Sequence, residues 1–266
     1  MTKITNAHPT SWKGLQEEVA RILRECDFRV EEPRTLDTVR GTVEIDVFAE
    51  EIVHGRKHMI LCECKHWKSG VPKNTIHAFR TVVSDIGANV GYIIASKGFQ
   101  SGASPAAAMT NLKLVTWDEF QAVFEETWLR THWRKQTDDL WRLMVYFADE
   151  DCGEDYIAVV ADADKDELRA LFEKYFAFGW FINGQWSTRS DSEPVKGHDL
   201  PLSALPPLFV PEELPAEILN AECYRSFLLA ERTFALAGIR RLRDILARND
   251  HVVARHLRLL LAELDS

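Results

Sequence analysis

Asp46, Glu63 and Lys65 are the side chains whose types and spacing best suggest chemistry, and they lie within Val43 to Lys65, VEIDVFAEEIVHGRKHMILCECK. The stretch reads as two strands joined by a tight turn. In the first strand Val43, Ile45 and Val47 alternate with Glu44, Asp46 and Phe48. In the second, Ile60, Cys62 and Cys64 alternate with Leu61, Glu63 and Lys65, which puts Glu63 and Lys65 on one face. With His54-Gly55 as a two-residue loop, paired residue numbers sum to 109, so Asp46 falls opposite Glu63 and Glu44 opposite Lys65. Carboxylates facing each other at roughly 5 Å repel unless a positive charge sits between them. A hard divalent cation such as Mg²⁺, which takes oxygen ligands, meets that need, and a neighbouring lysine can hold or polarise a water.

The same spacing also fits a hairpin with one solvated, charged face. Two details count against that reading. MILCECK is mostly apolar, as in a central strand where lone charges are costly, and the hairpin register brings the acids together.

Asp46 followed by Glu63-Cys64-Lys65 resembles the Asp…(Asp/Glu)-x-Lys signature of restriction-endonuclease-like nucleases. The wider context resembles the Mrr-type restriction endonuclease domain. It has an opening helix with Leu15 to Leu23, the strand Glu44 to Val47, and Cys64-Lys65-His66-Trp67 at a strand end. It also has the strand exit Gly91-Tyr92-Ile93-Ile94-Ala95-Ser96-Lys97-Gly98-Phe99 and a last strand, Leu112 to Thr116. The likeness covers about residues 11 to 120. It implies an α/β fold with a restriction-endonuclease-like core, a mixed central sheet flanked by helices. It implies Mg²⁺, with Mn²⁺ as a substitute, held by Asp46, Glu63 and the backbone carbonyl of Cys64. Lys65 would then act on the attacking water and on phosphate charge, and in-line attack would leave a 5′-phosphate and a 3′-hydroxyl. The family places an acid on the first helix near the position that Gln16 occupies here, so whether Glu17 or Glu18 supplies a third carboxylate stays open.

The elements that must position these groups follow from periodicity. Thr10 or Ser11 caps a helix to about Cys26, with Leu15, Val19, Ile22, Leu23 and Cys26 as its apolar stripe. Gln16 and Glu18 flank that stripe and Glu17 points away. Phe28 to Val30 is a short strand and Glu31 to Gly41 a polar connection. A helix begins after Pro72 and runs to about Ile86. Gly91 to Ser96 reads as a buried strand, parallel to a neighbour. Ser104 to Met109 is a short Ala-rich helix.

The net charge is −9, yet residues 1–120 hold 15 Lys+Arg and 15 Asp+Glu, so the whole acidic excess lies in 121–266. From His54 to Arg80 there are six Lys/Arg, four His and one acid, Glu63. That basic field suits a phosphate backbone, with Lys68, Lys73, His77, Arg80 and Lys97 as the candidate DNA contacts. The five cysteines include no C-x-x-C and are read as reduced thiols of a cytoplasmic protein. No apolar run approaches the roughly 20 residues that span a bilayer, and the first residues carry no apolar signal region.

The expected layout is a nuclease domain over 1–120, a connecting helix over 121–150 and a C-terminal α+β, mainly helical accessory region over 151–266. Trp128, Trp133 and Trp141 read as core or interface residues of a helical region from Asp118 to about Ala148. Beyond it, Tyr156 to Val160 reads as a strand and Lys165 to Ala177 as a helix. Phe178 to Trp186 reads as a strand or hairpin turning at Asn183-Gly184. Asp191 to Pro215 is an irregular connection with six of the ten prolines. Two helices follow, about Ala216 to Ala237 and Arg240 to Leu264, the second carrying Arg240, Arg241, Arg243 and Arg248 as a phosphate or partner face.

The function expected is a metal-dependent DNA endonuclease acting in restriction of foreign or modified DNA. A repair or junction-resolving nuclease, or a binding or sensor module on a nuclease scaffold, are the alternatives. A homodimer is expected, because cutting two strands requires two sites and two-fold symmetry supplies them.

Overall fold

The computed structural model describes residues 2–148, 150–187, 197–205 and 214–264. They divide into two compact units, Asn6–His132, and Met1–Thr5 with Trp133–Ser266.

The first unit runs α1 (Trp12–Glu25), β1 (Arg29–Glu31), β2 (Arg34–Thr38), β3 (Gly41–Ile45), β4 (Val47–Val53), β5 (Arg56–Lys65), α2 (Lys73–Ile86), β6 (Val90–Ala95), α3 (Ala103–Ala107), β7 (Leu112–Thr116) and α4 (Trp117–Trp128). Ser11 caps α1 by accepting the Gly14 N–H at 3.0 Å. A mixed five-stranded sheet has the order β1-β4-β5-β6-β7. β1, β4 and β5 are antiparallel, whereas β5, β6 and β7 are parallel. The parallel pairs require crossovers, which α2 and α3 provide.

Helices cover both faces, so β6 is almost wholly buried and apolar. On one face Leu61, Ile93 and Ala95 pack with Ile76, Phe79 and Val83 of α2. On the other, Tyr92 meets Phe120 and Phe124 of α4 at ring-centroid distances of 5.8 and 5.7 Å. Leu15, Val19, Ile22 and Leu23 form the buried stripe of α1.

The hairpin register follows the expectation over seven rungs, from Val47 opposite Cys62 to Val53 opposite Arg56. His54 and Gly55 both have positive φ, at 49° and 76°, as a two-residue turn matched to strand twist requires. The ladder ends at Val47, however. The expected single strand from Val43 to Phe48 is two strands broken at Asp46, and β3 pairs with β2 in a separate two-stranded sheet. Glu44 therefore lies opposite Thr35 and not opposite Lys65. The stretch read as a polar connection, Glu31 to Gly41, contains β2. The β2–β3 hairpin turns its Leu36 and Val43 against the core shared with α2, and Arg40 reaches Asp85 at 3.2 Å.

The second unit is helical among its described residues. A π-helical turn (Leu129–Trp133) leads into α5 (Arg134–Met144) and a 3₁₀ turn (Val145–Phe147), then α6 (Glu150–Val159) and α7 (Asp162–Ser187). After a 3₁₀ turn at Leu202–Ala204 come α8 (Ala216–Leu219), α9 (Tyr224–Arg248) and α10 (Val252–Leu264). Two expected strands are thus helix: Tyr156 to Val160 lies largely in α6, and Phe178 to Trp186 lies inside α7. Most of the expected connection Asp191 to Pro215 lies outside the described residues. The two helices expected over Ala216 to Ala237 and Arg240 to Leu264 are redivided: α9 runs unbroken through Gly238 and Ile239, and the breaks fall instead at Asn220 to Cys223 and at Asn249 to His251.

Of the arginines read as a phosphate face, Arg241 pairs with Glu167 and Arg243 with Asp244. Arg248 reaches Asp164 at 2.8 Å and Glu167 at 2.7 Å. These side chains are committed to internal carboxylates. Trp128 and Trp133 are core residues. Cys26, Cys62, Cys64 and Cys223 are buried free thiols. No helix among the described residues is long and apolar enough to cross a membrane.

Candidate active site

Asp46 is the residue at which the chain leaves one sheet for the other. Ile45 is the last residue of β3 and Val47 the first of β4, so Asp46 belongs to neither ladder. On the neighbouring strand, the N–H of Cys64 lies two residues past Cys62, the last rung, and needs an acceptor, because a buried backbone donor left unpaired is costly. Asp46 Oδ2 accepts it at 2.7 Å. The side chain thus continues the ladder that the main chain abandons. The main-chain carbonyl of Asp46 accepts a 2.7 Å hydrogen bond from Gln16 Nε2, a buried contact from α1. The indole N–H of Trp12, the first residue of α1, donates to Asp46 Oδ2 at 3.4 Å.

Glu63 and Lys65 stand on one face at the end of β5, and the Lys65 ammonium pairs with Glu63 Oε1. Burial pushes the Glu63 carboxyl above its ordinary range. The nearby Asp46 charge adds to that rise, and Lys65 opposes it. A carboxylate in this state gains from any further positive charge. Cys62 and Cys64 are neighbours on the opposite face, buried and with their thiols pushed well up, so both stay protonated.

The first helix brings a donor to the site rather than a third carboxylate. Gln16 is there, whereas Glu17 is exposed and lies 3.8 Å from Lys13, and Glu18 lies 3.9 Å from Arg21. Among the described residues, no group of three or more His, Cys, Asp or Glu side chains gathers as a metal site. The oxygen donors present are the carboxylates of Asp46 and Glu63, with the Cys64 carbonyl on the strand between Glu63 and Lys65. That set is hard and anionic and fits Mg²⁺ or Mn²⁺ better than zinc.

Two loops leave the sheet at this end and are joined. Ser96 N donates to Lys65 O at 3.0 Å, and Val71 forms a parallel bridge with Phe99. Gly70 permits the approach, since a Cβ there would lie 3.0 Å from the Phe99 backbone. Trp67 sits on the first loop, its ring centroid 5.6 Å from Lys65 Nζ. Lys68 and Lys97 are exposed on these loops. Lys73, His77 and Arg80 recur at helical spacing along α2, with Lys73 and Arg80 exposed and His77 half-buried. No ion pair engages Lys68, Lys73, Arg80 or Lys97 among the described residues. By contrast Arg24, Arg34, Arg40 and Lys57 each lie against a carboxylate.

Residues 7–124 match the Mrr_cat family model, described as restriction endonuclease. This segment is a Mrr-type restriction endonuclease domain. The mixed sheet with its flanking helices is the restriction-endonuclease-like fold, and the domain is that of a nuclease, with DNA implied as its substrate. No curated protein matches the chain. Among solved structures, the crystal structure of a protein of unknown function, AF1548, is similar at a TM-score of 0.36 and 20% identity, covering 65% of this chain and 100% of that one.

Of the side chains that contact Asp46 in this Mrr-type domain, sequence reasoning missed Trp12. An aromatic at the first helical position carries no signal of its own, and its role depends on the bend at Asp46.

The coupling of Glu63 to Lys65 has a direct readout. Carboxyl-carbon NMR of the full chain is expected to show Glu63 titrating above ordinary glutamates. In Lys65→Met it should titrate higher still, because the ammonium that lowers it is gone. As pH falls, Glu63 therefore takes up its proton before other glutamates do, and earlier in the variant. A downward move in Lys65→Met would contradict the assignment.

Proposed function

We propose that this chain is a divalent-metal-dependent DNA endonuclease, with Asp46, Glu63 and the Cys64 carbonyl as the metal-binding set and Lys65 as the residue that acts on water and phosphate. The observation carrying this reading is the convergence of two carboxylates at the end of β5, one of them held protonation-prone by burial and like charge. A bound Mg²⁺ would supply Lewis-acid stabilisation of the phosphate and lower the pKa of a water.

Lys65 has two tasks in this scheme. In the free protein its ammonium neutralises Glu63. With DNA present it donates to a non-bridging phosphate oxygen and orients the attacking water, stabilising charge as it grows. In-line displacement then breaks the bond to the 3′ oxygen, leaving a 3′-hydroxyl and a 5′-phosphate. Restriction of foreign or modified DNA is the biological role this chemistry suits. A homodimer would bring two such sites to the two strands. The second unit, lying within the half that carries the acidic excess, would assemble or regulate the enzyme rather than grip DNA unaided.

The test is incubation of supercoiled plasmid with the full chain and Mg²⁺, Mn²⁺ or EDTA. Nicked and linear products are expected with either metal and none with EDTA. Cutting that persists in EDTA removes the metal from the reading. Preference for branched over linear duplex would move the role to junction resolution.

Lys68, Lys73, Arg80 and Lys97 form no ion pair among the described residues, which is the reason to assign affinity to them. Four released counterions imply a log–log salt slope of about −3.6. The double variant Lys73→Ala/Arg80→Ala is expected to reduce the slope by about 1.8 in filter-binding titrations. An unchanged slope would place the DNA elsewhere.

A further inference from the structure

Asp46 has two carboxylate oxygens with different surroundings. Oδ2 accepts the Cys64 main-chain N–H at 2.7 Å and the Trp12 indole N–H at 3.4 Å. Both groups are donors only, so neither can exchange roles with the oxygen they hold. With Oδ2 engaged twice, Oδ1 is the oxygen left to bind a cation. One donor alone would not fix the carboxylate plane, because the terminal torsion of aspartate is broad. Two donors from different elements do fix it.

The same helix holds the main chain of the residue as well. Gln16, one turn beyond Trp12 on α1, donates to the Asp46 carbonyl at 2.7 Å. Trp12 is 45% exposed, so much of it contributes nothing to core packing. A large, half-exposed indole spends its one polar atom on the bend that carries the metal-binding carboxylate.

We propose that Trp12 is a positioning residue for Asp46, fixing the carboxylate so that Oδ1 faces the divalent cation. This deepens the nuclease reading and rests on it. Outer partners of metal ligands typically change metal affinity by about 10- to 100-fold, and the long 3.4 Å contact belongs at the lower end.

The experiment is a calorimetric titration of the DNA-free full chain with Mn²⁺, comparing wild type with Trp12→Phe, which keeps a ring and loses the donor. Affinity is expected to fall about tenfold with the thermal midpoint unchanged. In cleavage assays the variant should need more metal for half-maximal rate and keep the wild-type rate at saturation. Equal Mn²⁺ affinity in a folded Trp12→Phe overturns the proposal. Should the variant fail to fold, the wild-type ¹⁵N-indole spectrum decides. The Trp12 resonance should move as Mg²⁺ fills the site, and a stationary resonance in a chain that binds Mg²⁺ overturns the proposal. A wild-type chain that binds no divalent cation fails at the nuclease reading itself and takes this inference with it.

Discussion

Asp46→Asn and Glu63→Gln are each expected to lose plasmid cleavage by on the order of a thousandfold or more, at any Mg²⁺ concentration the assay tolerates. The amides are chosen over alanine for a structural reason. Asp46 is buried and accepts the Cys64 N–H, so Asp46→Ala leaves that donor unpaired at a cost of about 1–3 kcal/mol of stability. Asparagine keeps an oxygen for Cys64 and replaces the charge alone. Glu63→Gln likewise retains shape while removing the second negative charge. Loss of cutting in folded amide variants then reports on ligand charge and not on collapse of the bend. Near-wild-type activity in either variant would falsify the metal assignment.

Lys65→Ala should separate binding from chemistry. Its ammonium is spent on Glu63 in the free protein, and Lys68, Lys73, Arg80 and Lys97, which form no ion pair among the described residues, are available for the backbone. Affinity for duplex DNA is therefore expected to stay within about threefold. Single-turnover cleavage at saturating enzyme should drop by about a hundredfold or more, the scale of losing one group that stabilises developing charge. The opposite pattern, weak binding with unimpaired cutting once DNA is saturated, would make Lys65 a docking residue.

The hairpin was readable because two independent signals agree there. Two apolar strand-like runs flank a turn of the right length, and His54-Gly55 takes positive φ at both residues. β6 was readable as a short, continuous apolar run. The break at Asp46 was not, because strand periodicity continues unbroken from Val43 through Val47. The evidence for it lies in β2, whose RTLDT has a single large apolar residue, Leu36, too few for a period-two pattern. In the second unit, Tyr156 to Val160 and Phe178 to Trp186 are rich in β-branched and aromatic residues, and Asn183-Gly184 imitates a hairpin turn. Tertiary packing overrides those local preferences. Along α7, Leu168, Leu171, Phe172, Tyr175, Phe178 and Ile182 are buried at helical spacing, and Asn183 accepts a hydrogen bond from the Trp141 indole at 3.3 Å. The longer period was present in the sequence, under a stronger short-range signal. The cations on α2 and on the two loops were visible as a charge cluster, but which of them lack partners depends on where the other acids fold.

The β4–β5 register around the His54-Gly55 turn also fixes the handedness of the site by parity. Counting from that turn, odd steps and even steps along β5 belong to opposite sides of the sheet. A one-residue insertion inside β5, between the turn and Glu63, absorbed as regular strand with β4 kept in place, would carry Cys62 and Cys64 to the side where the acids now stand. It would drive Glu63 and Lys65 into the aromatic layer of Tyr92, Phe120 and Phe124. An insertion of two within the strand would return Glu63 and Lys65 to their side but carry them two residues along from Asp46. An insertion confined to the His54-Gly55 loop leaves both strands in register, so the same added residue is harmless at the turn and lethal to the chemistry within the strand.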